Sequence, residues 1–551
     1  MQKKKSDLLK FQEPFYRIFD KDSKICNISI YILLAIFLFL GLFLLNDYGR
    51  PWDEYEEITI YIGNLKEYAR LFFGENCKFN QLTSFIDFAT DNPNIDHGGS
   101  IYYLLAPFAH LFVDGHQQTF IYLWRFTIHL FFLCGVFFLY LIVKKFTSDS
   151  RYGLLAALML LLSPRFFAES YYNNKDIAQL TLWLAIFYLT LRWIEDGGYR
   201  WGILLGITAA FTVNMRFIGV MAYFVCGLTY CFRLFKEREK LLTGIFQGLA
   251  SIFTFFLVLF LITPACWKGL FSYFFYCLFQ ASSFPWSGKI LFFGHFYLAK
   301  DLPRIYLPLM IAITTPFLFI LLFITGNILP LRRRKSLGKR CLRPSDYKYI
   351  LLAAVTYFPL LMHLILKPVI YNGWRHYYFL YGFIIIWAVI GFRSLLSLQK
   401  KTLTKVVSAL LAVQLIFTSV LIGICHPFQF TYYNFLAGFS PEETQEMDYW
   451  GVSAKQALEE LVDNYYKGIP LKIIGAGYGS ETAFNNNLQM LSKEDRSKLE
   501  VAESIKEAAY LLVNPLYYKL YPEERYPDLS KYKEVIVIRY LSSPIMIVYE
   551  T

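Results

Sequence analysis

The stretch ISIYILLAIFLFLGLFLL, residues 28–45, decides the fold of this chain. It contains no charged residue, and at about 1.5 Å per residue a helix of this length crosses the hydrocarbon layer of a bilayer. Lysines and arginines precede it, and no small-residue cleavage site follows it before Asn46 and Asp47. The stretch therefore predicts an uncleaved first transmembrane span that follows a cytoplasmic tail, residues 1–27.

The rest of the chain repeats this pattern. Of its 551 residues, 56% are apolar and only 17% are charged, which excludes a disordered chain and a soluble, surface-charged enzyme. Further apolar runs fall at about 118–143, 152–168, 177–194, 201–214, 217–234, 243–264, 305–329, 349–366, 378–396 and 406–425. The sequence thus predicts an α-helical polytopic membrane protein with about eleven transmembrane helices.

The basic residues indicate the orientation of these helices. With the N-terminus in the cytoplasm, the positively charged cluster at 332–335 also lies on the cytoplasmic side, as the positive-inside rule requires. The net charge of +12 is then mainly a topology signal, and we expect no nucleic-acid partner. This orientation predicts a transmembrane core over residues 28–425 with a long first outer loop, residues 47–117.

An odd number of spans leaves residues 426–551 outside the cytoplasm. The apolar pattern there predicts strands at 471–474, 509–513, 535–539 and 545–549. The segment SAKQ, residues 453–456, reads as a capping box and predicts the start of an amphipathic helix that ends near Gly468. We therefore predict a small C-terminal extracytoplasmic α/β domain.

Polar clusters gather on the outer side. The segment RPWDEYEE, residues 50–57, holds four acids directly after the first span. A solvated loop is one interpretation. Pro51 and Trp52 favour another, in which the turn is fixed at the interface and holds a carboxylate close to the bilayer.

A second cluster, SPRFFAESYYNNKD at 163–176, joins two apolar runs. Its charges are Arg165, Glu169, Lys175 and Asp176. On insertion scales, placing an ionised side chain at membrane depth costs about 2.5 to 3.5 kcal/mol, so a partner or a functional role must offset this cost. The structural alternative is an ion pair between Arg165 and Glu169 at i, i+4.

Two more clusters carry cations. Arg216 joins two spans, where it either reaches the interface or meets an anionic head group. The segment YNGWRHYY, residues 371–378, places Arg375 and His376 among aromatic residues. This combination suits phosphate pairing with sugar stacking, although an aromatic belt explains the rings equally well. His97 is more typical of a structural histidine.

Together these clusters place a carboxylate and several cations at one membrane face. Cations can hold a lipid-linked phosphate and stabilise its charge as it leaves, while a carboxylate takes a proton from an incoming hydroxyl or amine. The sequence contains no P-loop, no HExxH motif and no GxSxG motif.

The chain resembles the membrane glycosyltransferases of the C superfamily, in particular the branch of protein O-mannosyltransferases and lipid A aminoarabinose transferases. The resemblance covers about 25–425 and rests on the cytoplasmic N-terminus, the Asp53-Glu54 pair after the first span, the long first outer loop and about eleven spans. The segments SPRFFAESYYNNKD, YNGWRHYYFLY, HPFQFTYYN and DYWG also resemble a bacterial subgroup.

This resemblance implies an inverting transfer of a sugar from a polyprenyl-phosphate carrier, of the undecaprenyl type, at the outer face of a bacterial inner membrane. Asp53 would be the catalytic base, with Glu54 beside it. The candidates for binding the donor phosphate are Arg165, Lys175, Arg216, Arg375 and His376. Asp176 and Glu169 would orient the acceptor or a metal. Some members of the superfamily use a divalent cation, and the sequence of a single chain leaves open whether this protein does.

The resemblance leaves the sugar and the acceptor unassigned, whether lipid, glycan or protein. Residues 426–551 differ from the inserted sugar-binding domain of the eukaryotic protein mannosyltransferases. Two other functions stay open from the sequence. A lipid or solute transporter would place charges near the midplane of broken helices. A non-catalytic assembly subunit would use the C-terminal domain to bind a partner.

Overall fold

The computed structural model of the chain describes residues 24–91, 96–236, 241–282, 286–336, 346–522 and 527–551. Residues 1–23 of the predicted cytoplasmic tail lie outside these ranges. The side chains of the positively charged cluster at 332–335 are also outside the description, although a helix continues through its backbone.

A helix lies within each of the predicted apolar runs. These helices are α1 (Lys24–Leu44), α4 (Gln117–Thr147), α5 (Ser150–Leu161), α6 (Pro164–Glu169), α7 (Asp176–Asp196), α8 (Tyr199–Met215), α9 (Gly219–Lys236), α10 (Leu241–Ile262), α12 (Tyr306–Thr314), α13 (Phe317–Ser336), α14 (Tyr347–Leu366), α15 (Leu380–Leu396) and α16 (Lys401–Ile424). Six helices of the described chain are long and apolar enough to cross a membrane, namely those at 27–44, 117–147, 176–196, 241–262, 347–366 and 401–424. This confirms a membrane protein built of helices, whereas the number of eleven spans stays a prediction.

Two predicted runs are broken. The run 152–168 forms α5 and α6, which are separated at Leu162 and Ser163, and the run 305–329 forms α12 and α13, which are separated at Thr315 and Pro316. A proline follows each break or lies in it, and proline disfavours helical backbone in the residue before it and lacks an N–H to donate. The predicted continuous spans were wrong at these two points.

Close helix contacts depend on glycine where α13 meets α15. A Cβ on Gly326 would overlap the carbonyl oxygen of Trp387, and one on Gly391 would overlap that of Leu322. Only residues without a side chain allow two backbones to approach this closely, as is common in membrane helix pairs. The close packing of these two helices fixes the position of α15 relative to α13, and α15 begins shortly after Arg375.

The segment between α1 and α4 contains a helix that the sequence analysis did not predict, α2 (Glu54–Phe73), then α3 (Lys78–Leu82) and a 3-10 helix at Ser100–Phe112. Ile58, Tyr61 and Ile62 bury one face of α2 in the main hydrophobic core. Between α10 and α12 lie α11 (Leu270–Ser282) and a hairpin of β1 (Lys289–Phe292) and β2 (His295–Leu298).

The C-terminal region, residues 426–551, contains a five-stranded sheet with the order β4-β3-β5-β7-β6. Its strands are β3 (Leu471–Gly475), β4 (Leu499–Val501), β5 (Tyr510–Val513), β6 (Lys533–Tyr540) and β7 (Ser543–Glu550). Its helices are α17 (Pro441–Thr444), α18 (Ala454–Tyr465), α19 (Ser480–Leu488), α20 (Lys493–Ser497) and α21 (Pro515–Leu520). β3 runs parallel to β4 and β5, and β7 is antiparallel to β5 and β6. The α/β character of this region is confirmed, although the short strand β4 was not predicted.

The predicted capping box at Ser453 was wrong in its chemistry. α18 begins there, but the Ser453 side chain does not cap it. The Ser453 hydroxyl instead donates to the carboxylate of Asp448, which also accepts the backbone N–H groups of Val452 (3.2 Å) and Ser453 (2.9 Å). Asp448 thereby fixes the turn that presents Trp450.

One hydrophobic cluster joins the C-terminal region to the helical core. It contains Tyr48 and Tyr171 from the core together with Trp450, Leu458 and Ile473 from the C-terminal region. The junction lies at the end of the core that carries Asp53, so the C-terminal region borders the predicted site.

Candidate active site

Asp53 precedes α2 and occupies its N-cap position, but its carboxylate makes no capping hydrogen bond. It points instead to Arg375, whose Nη1 donates to Asp53 Oδ2 at 2.7 Å. Asp53 is the more exposed partner, with 41% of its side chain accessible against 3% for Arg375. The structure therefore brings together two predicted residues that are 322 positions apart in the sequence.

Arg375 is held on its faces by aromatic rings. Its guanidinium carbon lies 5.0 Å from the centre of the Tyr371 ring and 4.7 Å from that of Trp450. Asp176 Oδ2 lies 4.0 Å from its Nη1. Cations are attracted to the faces of aromatic rings, so this arrangement orients the guanidinium group towards Asp53.

The remaining cations also meet acids. Arg216 Nη2 lies 3.0 Å from Asp176 Oδ1, and Lys175 Nζ lies 2.7 Å from Glu57 Oε1. Burial acts to raise the pKa of Asp53, but the nearby positive charges of Arg375, Lys175 and Arg216 outweigh it and hold that pKa below its ordinary value. Asp53 is therefore ionised at neutral pH.

These groups line a cavity of about 320 Å³. Its polar lining includes Asp53, Glu57, Lys175, Arg216, Arg375 and His376, together with Glu56, Asp96 and His97. Apolar lining comes largely from α9, α11 and α14 and the segments beside them, with side chains that include Ile218, Val220, Met221, Leu278, Met362 and Val369. The cavity thus offers charged and apolar surfaces to one ligand, as a lipid phosphate requires.

Several buried nitrogen atoms in this cavity have no hydrogen-bond partner among the residues that the structure describes. They are the Nε atoms of Arg216 and Arg375 and Nδ1 of His376. Burial and the charges of Arg216 and Arg375 hold the pKa of His376 well below its ordinary value, so this histidine is neutral. His376 lines the cavity as a neutral hydrogen-bonding group, and its predicted role in binding the donor phosphate stays a prediction.

Glu54 does not line this cavity, but it lines a smaller pocket beside it that shares Asp53 and Arg375, and its predicted catalytic role stays a prediction. Its side chain is fully buried, and its two carboxylate oxygens accept Nε and Nη2 of Arg125, each at 3.0 Å. Arg125 also donates to the carbonyl oxygens of Tyr48 (2.7 Å) and Gly49 (2.9 Å). Because successive residues at the start of a helix point in different directions, Asp53 faces the cavity while Glu54 faces the core.

Arg165 and Glu169 also lie outside the cavity, so the structure does not support their predicted roles at the donor phosphate and the acceptor. Arg165 is buried and donates to the Tyr449 hydroxyl (3.3 Å) and the Tyr432 carbonyl (3.2 Å). Glu169 Oε1 accepts the hydroxyls of Tyr378 (2.7 Å) and Tyr449 (3.3 Å). The two form a buried polar network, and they are not paired directly as the structural alternative supposed.

Three residues at or near the site were not predicted individually, namely Glu57, Trp450 and Arg125. Glu57 and Trp450 belong to the segments RPWDEYEE and DYWG, but no local sequence pattern indicates which way their side chains point. Arg125 carried a usable signal, because it is a charged residue inside the apolar run 118–143, where a charge is costly without a partner. Among the residues that the structure describes, no group of three or more His, Cys, Asp or Glu side chains is placed to hold a metal ion.

Comparisons with known proteins give a family match over part of the chain. Residues 96–267, which include Lys175, Asp176 and Arg216, match the family described as dolichyl-phosphate-mannose-protein mannosyltransferase. This confirms the resemblance to the membrane glycosyltransferases over that part. No curated protein matches the chain.

Similar solved structures include two crystal structures of ArnT from Cupriavidus metallidurans. One is bound to undecaprenyl phosphate, with 9% identity and a TM-score of 0.46, and the other is in the apo state, with 10% identity and a TM-score of 0.48. In both cases the match covers 95% of this chain and 97% of the other.

Proposed function

We propose that this protein is an inverting glycosyltransferase that moves a sugar from a polyprenyl-phosphate carrier, of the undecaprenyl type, to an acceptor at the outer face of a bacterial inner membrane. The observation that carries the proposal is a single cavity in which the Asp53 carboxylate lies among three cations and beside an apolar lining. The family match over residues 96–267 supports the same class of reaction.

The two kinds of lining correspond to the two parts of such a donor. Arg216, Arg375 and Lys175 supply N–H donors and positive charge for the phosphate, and the side chains from α9, α11 and α14 cover the isoprenoid chain. The unpartnered Nε atoms of Arg216 and Arg375 are available for this, because an anion would satisfy them.

In the reaction the acceptor oxygen or nitrogen forms a bond to the anomeric carbon on the face opposite the phosphate, and the carbon–oxygen bond to the phosphate breaks. The electron pair of that bond stays on the phosphate, where the cations stabilise it. Asp53 takes the proton of the acceptor as general base. Configuration at the anomeric carbon is inverted because there is one displacement.

Donor binding also activates the base. In the structure the Asp53 carboxylate is engaged by Arg375 at 2.7 Å, which makes it a weak base. A phosphate beside Arg375 would accept hydrogen bonds from the guanidinium group that also binds Asp53, and it would add a negative charge near Asp53. Both effects raise the pKa of Asp53, so the carboxylate accepts a proton more readily once the donor is present.

The experiment is transfer in membranes supplied with lipid-linked sugar, with Asp53→Asn compared with Asp91→Asn. Asp91 belongs to the same outer segment but pairs with exposed Lys268 away from the cavity. We expect Asp53→Asn to lose about 10²- to 10⁴-fold in rate, as removal of a general base does, with unchanged expression. Full activity of Asp53→Asn would remove this mechanism. Mass spectrometry of lipid-linked sugars in a deletion strain would identify the sugar and the acceptor.

A further inference from the structure

The turn that carries Asp53, residues 48–53, is held in place by hydrogen bonds and ring contacts from the C-terminal region. Asn487 of α19 is fully buried and accepts the N–H of Arg50 at 2.6 Å through its Oδ1. Its Nδ2 donates to the carbonyl oxygens of Arg50 (3.2 Å), Gly451 (3.1 Å) and Ala483 (2.8 Å). One side chain therefore fixes both backbone groups of a residue three positions before Asp53.

Further contacts join the same turn to the C-terminal region. Arg50 Nη1 donates to Gln489 Oε1 at 2.7 Å, and the Trp52 ring stacks on Tyr517 with 5.1 Å between the ring centres. Gly49 allows the close approach, because a Cβ there would overlap the carbonyl oxygen of Val452. The turn cannot move relative to the C-terminal region without breaking these contacts.

The same region also holds the partner of Asp53. Trp450 lies over the guanidinium group of Arg375 at 4.7 Å, and Trp450 is 2% exposed. Glu446 Oε2 accepts the N–H of Gly373, two residues before Arg375, at 3.3 Å. The segments that carry Asp53 and Arg375 are 322 positions apart in the sequence, and both are attached to residues 446–489.

We propose that the C-terminal region is a positioning element of the active site, in which Asn487 sets the place of Asp53 and Trp450 sets the orientation of Arg375. This inference rests on the proposed function of the site. It gives the region a role within each turnover, in contrast to the role of a separate module for binding a partner protein.

The pH dependence of transfer reports on this role. Without the Trp450 ring the guanidinium group of Arg375 loses one of its two aromatic faces and interacts less well with Asp53. The pKa of Asp53 then rises towards its ordinary value, and the acidic limb of the pH–rate profile moves to higher pH. The other titratable groups around this pair, all unchanged in a Trp450 variant, are Glu56, Glu57, Asp96, His97, Lys175, Asp176, Arg216, Tyr371, His376, Glu446 and Tyr449.

The test compares Trp450→Ala with Trp450→Phe, which keeps an aromatic face over Arg375. For Trp450→Ala we expect kcat/KM to fall about thirty-fold, the scale of a desolvated cation–π contact, and the acidic limb to move to higher pH. Trp450→Phe is expected to restore the position of the limb. An unchanged acidic limb in folded Trp450→Ala would overturn the positioning role.

Asn487→Ala provides an independent measurement. Its control is Asn464→Ala, because Asn464 lies on an exposed helix face and donates to the carbonyl oxygen of Glu460 on its own helix. We expect Asn487→Ala to lower kcat while the KM for the donor stays close to that of the wild type. Equal kcat in both asparagine variants would overturn the role of Asn487. If Asn487→Ala does not fold, the Trp450 pair decides. Full activity of Asp53→Asn would refute the proposed function itself, whatever the Trp450 variants show.

Discussion

Replacement of Glu54 by Gln tests whether this acid is structural or catalytic. Glu54 is fully buried between two guanidinium groups, with Arg125 in a two-pronged contact at 3.0 Å and Arg50 Nε at 3.6 Å. Both arginines are fully buried as well. The carboxylate is thus the counter-charge of two cations that water does not reach.

The size of the effect follows from this burial. The substituted glutamine would keep a hydrogen-bonding oxygen but lose the negative charge, and breaking a buried ion pair from one side costs about 3 to 5 kcal/mol. Two uncompensated cations place the expected loss of free energy of unfolding near the upper end of that range. Glu459→Gln is the matched control, because Glu459 pairs with Lys455 at 2.7 Å on a helix surface, where such a pair contributes about 0.3 to 0.5 kcal/mol.

The assay is denaturant-driven unfolding of the purified proteins in detergent, followed by transfer measured on the same preparations. We expect Glu54→Gln to be much less stable than Glu459→Gln, and its activity per folded molecule to be reduced far less than that of Asp53→Asn. A Glu54→Gln protein with the stability of the wild type and no transfer activity would refute this reasoning and return Glu54 to the catalytic role predicted from the sequence.

Two further predictions concern buried groups outside the cavity. Arg165→Met should lower the free energy of unfolding by about 3 kcal/mol, because it leaves buried polar partners unsatisfied, while the Kd for a polyprenyl phosphate, measured by titration, stays unchanged. A raised Kd with normal stability would make Arg165 a donor-binding residue. Burial raises the pKa of Glu446 to about 8 from an ordinary 4.5, so the folded protein holds a proton there that the unfolded chain loses. The stability of the wild type should therefore fall as the pH rises from about 4.5 to 8. Glu446→Gln should lack this part of the slope in unfolding experiments across that range, and equal slopes would contradict the assignment.

The architecture could be predicted from the sequence because hydrophobic length is a local property. Each apolar run contains a helix, and the alternating pattern after residue 470 forms the expected strands. The amphipathic α2 was missed because the four acids at 53–57 suggested a solvated loop, whereas the buried apolar residues of this helix begin only at Ile58. The two breaks in the predicted spans were also missed, because each break depends on a single proline and the hydrophobic pattern continues across it.

The site could be predicted only in part, because sequence gives the type of a side chain but not its direction. Lys175 and Asp176 line or border the cavity, while Arg165 and Glu169 of the same cluster are buried in a separate network. Arg165 and Glu169 belong to helix α6, and the turn that follows it separates them from Lys175 and Asp176. Trp450 could not be assigned at all, because its contact with Arg375 exists only once the C-terminal region has docked on the core.

Under the proposed function, the exposure of the three acids favours Asp53 as the base. Cations at low exposure need partners, and in the structure Arg375, Arg216 and Lys175 pair with Asp53, Asp176 and Glu57. Asp53 is 41% exposed, Asp176 1% and Glu57 12%. A donor phosphate that competes for these cations releases an acid, and the cost is lowest for the acid that water already reaches. The phosphate therefore displaces Asp53 from Arg375 most easily, and the carboxylate set free is the one positioned to take a proton.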